Sequence, residues 1–229
     1  MRYATWVFAA LLTIAVATSG VCATASKAPE SPKAPPGWVL VEEDVLVVFA
    51  DEPEHHLRLA HEHFLKKEHK EAASEIRKAA AFMRLEAGHA TAEAKKGLLA
   101  SAAELERLAN GLEKGTVVSE RELKEAFARA DYALARHHQM KAAEAHAKKE
   151  PKKAGHHLRA AAAAIEDGAA WAGHELEAGS IDAIRGARVV AGKLIEGVGW
   201  VPAEVGKAIT DIGKETEKLG KVVAPHKAG

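Results

Sequence analysis

Apolar residues recur three and four positions apart through most of this chain, and that spacing constrains its fold more than any other feature. Side chains so spaced share one face of an α-helix, whereas a half-buried strand alternates. Residues 38–50 are rich in β-branched residues and favour a strand instead. No second strand is available to pair with them, and an isolated strand leaves its backbone groups without hydrogen bonds. We therefore expect helix there too, and an all-α fold.

The central part of the chain divides into four predicted helices. They occupy residues 51–67, 69–112, 119–149 and 151–176. Gly88 and Gly97 are the expected bends in the second helix. Ser119 and Glu122 have the spacing of a capping box at the start of the third helix. Pro151 suits the first turn of the fourth helix, where a missing amide costs nothing.

The sequence also repeats itself at a distance of 82 residues. The matches are His55-His56 with His137-His138, Lys66-Lys67-Glu68 with Lys148-Lys149-Glu150, Arg77 with Arg159, and residues 79–81 with 161–163. A helical hairpin cannot bury its apolar face alone, so two stacked copies predict an antiparallel bundle of two duplicated helical hairpins over residues 38–178. Chance matching between alanine- and lysine-rich helices is the alternative.

The C-terminal segment, residues 179–229, has a glycine at every seventh position. These glycines are Gly192, Gly199, Gly206, Gly213 and Gly220. A seven-residue period forms one stripe on an amphipathic helix, and glycine there lets another backbone approach closely. The stripe predicts an interaction surface, with self-association, packing on the bundle and membrane-surface contact as the alternatives. Its separate period also predicts an element separable from the bundle, and Pro202 should kink or divide it.

The N-terminus is typical of a secretory signal peptide over residues 1–25. Arg2 precedes a short apolar run, and Ala23-Thr24-Ala25 gives the small-x-small pattern of a cleavage site. An uncleaved membrane anchor and a lipid anchor on Cys22 are the alternatives. Residues 26–37 hold four prolines and predict an extended linker. We expect an exported, periplasmic or otherwise extracytoplasmic protein.

Composition excludes several classes of function. Cleavage after Ala25 would remove the single cysteine, which excludes disulfides and thiolate metal sites. The 32 basic and 32 acidic residues give no overall electrostatic case for binding nucleic acid. Phosphate-binding loops and nucleophile elbows are absent from the sequence, and His61-Glu62 and His174-Glu175 each lack the second histidine of the zinc-protease pattern. We therefore expect a protein without catalytic residues.

The 13 histidines remain unexplained by these exclusions. If the third and fourth helices reverse near residue 151, His146 comes level with His156 or His157, which predicts an exposed site for a divalent transition metal. Glu86 and His89 have the Glu-x-x-His spacing of di-iron bundles, but no matching ligands lie at their level. His137 or His138 should lie on the apolar face of the third helix.

Three functions are compatible with these patterns. The first is a non-enzymatic, exported interaction or scaffold module that binds a protein partner or a second copy of itself. The first alternative is a histidine-based binding protein for a transition metal or haem, and the second is an enzyme with an unrecognised site in the bundle core. No residues for binding an organic cofactor can be assigned from the sequence.

Overall fold

The computed structural model describes residues 52–116 and 119–224. Within those residues all regular structure is α-helical, so the predicted all-α bundle is confirmed. The signal peptide, the linker and the ambiguous stretch at 38–50 lie outside the described residues and stay predictions. The helices are α1 (Glu52–Leu65), α2 (His69–His89), α3 (Ala92–Glu113), α4 (Glu120–Ala147), α5 (Pro151–Trp171), α6 (Ala178–Glu196) and α7 (Pro202–Val223).

The single helix predicted at 69–112 is wrong, because two helices, α2 and α3, occupy that stretch. Thr91 adopts extended backbone angles, and its hydroxyl accepts a hydrogen bond from the Ala94 amide at 3.4 Å. This N-cap satisfies an amide that has no partner inside the helix, and so begins α3. Neither Gly88 nor Gly97 makes the break, since Gly88 lies inside α2 and Gly97 inside α3.

The other helix boundaries follow local chemistry. The capping box predicted at Ser119 and Glu122 is confirmed, and Pro151 begins α5 as expected. The α5 helix ends at Trp171 rather than near 176, and Gly173 follows it with φ of 63°. A left-handed residue of this kind commonly ends a helix. The predicted division at Pro202 is confirmed, since α7 begins there.

The α4 helix lies at the centre of the fold. It packs against α3, α5 and α7 and also contacts α1. The last two helices contribute to the same hydrophobic core as the earlier ones, through Ile184, Leu194, Val205 and Ile212. The helices on both sides of residue 178 therefore share one core.

Two structural matches accompany the 82-residue repeat. Lys67 and Lys149 both have left-handed backbone angles, with φ of 63° and 60°, in the turns before α2 and α5. The ion pair of Arg84 with Glu106 is matched by that of Glu166 with Arg188, at the same spacing and with the charges exchanged. These pairs join α2 to α3 and α5 to α6, and so would extend the repeated unit to three helices. The duplication stays a prediction, with which both matches are compatible.

The glycine period does not form one continuous helical stripe. Gly199 lies between α6 and α7 with φ of 68°. Gly213 and Gly220 lie on α7 against α4: a β-carbon added to Gly213 would meet the Gln139 side chain at 3.3 Å, and one added to Gly220 would meet the Tyr132 ring at 2.7 Å. These two glycines pack within the protein.

The remaining glycines of the period, Gly192 and Gly206, have open space beside them. Their role in self-association or at a membrane surface stays a prediction. None of the described helices is both long enough and apolar enough to cross a lipid bilayer.

Candidate metal centre and adjoining cavity

Four polar side chains lie close together inside the alanine-rich core. They are Glu86 on α2, His137 and His138 on α4, and His157 on α5, and none is more than 5% exposed. Burying a polar group costs free energy unless it finds a partner. Their partners therefore decide what this cluster can do.

One carboxylate and two imidazoles converge at the centre of the cluster. Glu86 Oε2 lies 2.7 Å from His137 Nε2. One ligand atom from each of Glu86, His137 and His138 lies within 4.8 Å of the other two. On the other side, His138 Nδ1 lies 3.2 Å from His157 Nδ1. This spacing brings the side chains within reach of one ion.

Three nitrogen atoms of the cluster lack a hydrogen-bond partner. They are both ring nitrogens of His137 and Nε2 of His138. Glu86 Oε2 forms an ion-pair contact with His137 Nε2 that does not have hydrogen-bond geometry. An unpaired buried polar atom costs about 1–3 kcal/mol. A coordinated metal ion would satisfy such nitrogens.

His138 is held in its neutral form. Burial lowers its pKa well below the ordinary value of 6.5, and the neighbouring His137 and His157 lower it further. A metal binds the neutral imidazole, because a protonated ring nitrogen has no free lone pair. His138 is therefore ready to ligate at neutral pH.

A cavity of about 450 Å³ adjoins the cluster, and His138 forms part of its wall. The cavity opens between α1, α4, α5 and α6. Small side chains at Ala160, Ala163 and Ala164 of α5 leave the space, and Leu134 of α4 completes an apolar side. Its other walls are polar and carry acidic and basic side chains.

Four carboxyl groups line this cavity, those of Glu54, Asp131, Glu166 and Asp167. Both oxygens of Glu54 are occupied, one by the Trp171 indole at 3.0 Å and one by Arg58 Nε at 2.7 Å. Arg58 also donates to Asp167 at 2.7 Å. Asp131 differs, because its side chain is 1% exposed and its Oδ2 has no hydrogen-bond partner.

The surroundings of Asp131 disfavour its charged form. Burial raises its pKa well above the ordinary 3.8, and the negative charges of Glu54 and Asp167 raise it further. Burial is also the main cause of the raised pKa of Glu54. Gly168 on α5 allows the two helices to approach closely at Asp131, since a β-carbon at Gly168 would lie 3.1 Å from Asp131 Cβ. Asp131 is thus fixed at the wall of a polar cavity with one oxygen unused.

The two-histidine metal site predicted at His146 with His156 or His157 stays a prediction, and the three-ligand group found among the described residues contains none of these histidines. Successive residues on a helix point about 100° apart. His157 is therefore turned towards His138, while His156 stays near the surface beside Arg159. Burial lowers the pKa of His156, and so do the positive charges of Arg159 and Lys152, which would also repel a metal cation.

The buried cluster was missed in the sequence for two reasons. Glu86 was noted beside His89, but His89 is exposed and the other ligands come from α4. Only one of His137 and His138 was expected inside, yet both are buried because α4 has helices on several sides. The signal was the composition of α4, which is rich in alanine around most of its circumference.

Comparison with protein families, with curated proteins and with solved structures finds nothing that matches the chain.

Proposed function

We propose that the protein binds a divalent transition-metal ion through Glu86, His137 and His138. The observation that carries this proposal is their buried convergence, with ligand atoms within 4.8 Å of one another and three ring nitrogens unpaired. Two imidazoles and one carboxylate are a ligand set of catalytic zinc and of non-haem iron sites. His157 lies beside His138, outside the group of three converging ligands, and can orient the His138 ring through the contact between their Nδ1 atoms.

The cluster favours a single ion over haem. Ligands round a tetrahedral zinc lie about 3.4 Å apart, and the ligand atoms of Glu86, His137 and His138 lie within 4.8 Å of one another, so small side-chain movements would complete the geometry. A haem offers only two axial positions on opposite faces of a flat ring, and three converging ligands do not fit that arrangement. The geometry thus favours a bound transition-metal ion over a bound haem.

The charges around the cluster favour entry of a metal ion from the side of the larger cavity. The cavity beside His138 is lined by the acidic residues Glu54, Asp131, Glu166 and Asp167, against two arginines. A smaller cleft of about 70 Å³ beside His157 is lined by Lys141, Lys148 and Lys153, with Glu144 and Glu150. A cation is attracted by the first set of charges more than by the second. The larger cavity is therefore the proposed route for the ion.

Metal titration of the chelator-treated protein tests this proposal. We expect one Zn²⁺ or Co²⁺ per chain by calorimetry. At a free metal concentration of 100 times Kd, binding should add about 2.7 kcal/mol to stability, or about 5–10 °C in Tm. The double variant Glu86→Gln, His137→Asn should weaken binding by about 100-fold or more, because even outer-shell changes cost 10–100-fold.

A matched control separates this site from the one predicted on the surface. The variant His146→Gln, His156→Gln removes two histidines near the turn between α4 and α5 and leaves the buried cluster intact. It should bind metal as the wild type does. The proposal fails if the wild type binds no transition metal, or if the surface variant loses binding and the buried variant retains it.

An exported interaction or scaffold module is the second candidate. Four exposed apolar side chains on α6 and on the segment between α6 and α7 support it. Each is more than 40% exposed: Ile181, Val189, Val198 and Val201. Such side chains are available to a second copy of the chain. The native mass in the metal titration above tests this as well, because a scaffold that self-associates would be larger than a monomer with or without metal.

A further inference from the structure

We infer that the cavity between α1, α4, α5 and α6 binds a primary ammonium group carried on a short aliphatic chain. This site is separate from the proposed metal centre, although His138 borders both. The inference does not depend on metal binding and can be tested on metal-free protein.

The carboxyl group of Asp131 lines the cavity, is 1% exposed and leaves Oδ2 without a hydrogen-bond partner. Buried acceptors are nearly always paired in folded proteins. When Asp131 is protonated it can share a hydrogen bond with Glu54, whose two oxygens also accept from Trp171 and Arg58. A donor supplied by a ligand would pair Oδ2 of the ionised Asp131.

The charges around the cavity favour a positively charged donor. The groups facing the cavity include four acidic side chains and the cations Arg58 and Arg188. Arg58 is bound to Glu54 and Asp167, and Arg188 is bound to Glu166. Two arginines thus face four carboxyl groups, and the surplus negative charge adds to burial in raising the pKa of Asp131. A positively charged donor would stabilise the ionised form of Asp131 and gain a charge-assisted hydrogen bond, whereas an anion would be repelled.

The spacing of the carboxyl groups favours an organic cation over a metal ion. Among the described residues, Glu54, Asp131 and Asp167 do not form a group whose ligand atoms converge on one ion. An ammonium nitrogen needs fewer converging acceptors, because each of its hydrogens can reach a separate oxygen or a water molecule. The dispersed carboxylates thus suit an amine better than a bare metal ion.

The apolar side of the cavity favours an aliphatic chain for the rest of the ligand. Ala160, Ala163, Ala164 and Leu134 form an apolar side next to the acidic groups. Apolar surface with a few placed polar groups is the usual composition of a small-molecule site. About 450 Å³ accommodates a chain of four or five carbons together with some water. A short alkyl chain would lie along the alanines while its ammonium group reaches Asp131.

Titration of metal-free protein with n-butylamine, followed by amide NMR shifts, tests the inference. We expect saturable binding in the millimolar range or tighter, with the largest shifts at Ala160, Ala163 and Ala164. 1-Butanol and butyrate have chains of similar length without the positive charge. Each should bind at least about tenfold more weakly, because the charge-assisted hydrogen bond is lost.

Three variants sharpen the test. Asp131→Asn keeps the shape and should weaken butylamine binding at least about tenfold. Ala164→Leu keeps the charge and should abolish binding by filling the cavity. Glu215→Gln is the matched control, because Glu215 is a carboxyl only 7% exposed on α7 that is not among the cavity-lining residues, and should bind like the wild type. Absence of saturation with the wild type, equal binding of 1-butanol, or unchanged binding in Asp131→Asn would each overturn the inference.

Discussion

Asp131 combines a carboxyl group with surroundings that oppose its charge. In the unfolded chain its pKa is near the ordinary 3.8, and in the folded protein the pKa is well above that value, chiefly because of burial. The folded state therefore binds more protons than the unfolded state between these two values. Protonation of Asp131 therefore contributes to the free energy of unfolding. This contribution is fully present below the pKa of the unfolded chain and is lost as pH rises through the pKa of the folded protein, at up to about 1.4 kcal/mol per pH unit.

We expect Asp131→Asn to be more stable than the wild type at neutral pH, by more than about 1 kcal/mol. The amide has nearly the shape of the protonated carboxyl and needs no proton, so stability should vary less between about pH 4 and 7. Urea denaturation across that range measures both effects. Glu215→Gln is the comparison, since Lys218 lies 3.0 Å from Glu215 and stabilises its charge. A pH dependence equal to the wild type's in Asp131→Asn would contradict this explanation.

Single buried polar residues were the least predictable part of the candidate site. His137 and His138 were recognisable as candidates because they match His55-His56 at the 82-residue spacing. Asp131 belongs to no motif, and one polar residue inside an apolar pattern normally indicates an exposed position. Its burial depends on Gly168 and on helices distant in sequence.

At the scale of helices, Gly155 sets how closely α5 and α6 approach. A β-carbon at Gly155 would lie 2.8 Å from the Ala191 carbonyl oxygen and 2.8 Å from Leu194 Cβ. Backbone cannot move aside as a flexible side chain can. We expect Gly155→Ala to separate the two helices and to lower the free energy of unfolding by about 1–3 kcal/mol.

Gly186 provides the matched control on α6. It is also inside a helix, but nothing lies within 4 Å of its added β-carbon. Gly186→Ala should raise stability by up to about 1 kcal/mol, since alanine is the better helix former. Urea denaturation should thus give opposite signs for the two variants. If both raise stability, Gly155 does not limit the approach of the helices.

Helix starts were predictable where a residue performs a specific chemical task. The capping box at Ser119 and the prolines at 151 and 202 mark true beginnings. The break before α3 was not predicted, because the apolar spacing continues from Ala87 to Leu98 on either side of it. Periodicity shows which residues share a face and does not show whether the backbone between them is interrupted.

For the whole molecule, the sequence predicted the class of fold and not the arrangement of its helices. The glycine period after residue 179 suggested a separable element. In the structure α6 and α7 pack against α5 and against each other, and α7 also packs against α4. Which helix covers which face depends on contacts between distant residues, such as Gly168 with Leu219. A local pattern carries no information on such pairs.

Removal of residues 174–229 should therefore disrupt the bundle. The truncated chain would lose Ile184, Leu194, Ile212 and Leu219, and would expose the faces of α4 and α5 that they cover. Each such side chain stabilises by about 1.5–3 kcal/mol when fully buried, against a typical total of 5–15 kcal/mol. We expect a truncated protein without a cooperative thermal transition, measured by circular dichroism, and restoration of the transition when a 174–229 fragment is added. A truncated protein that unfolds cooperatively near the Tm of the full chain would show instead that the last two helices form a separable element.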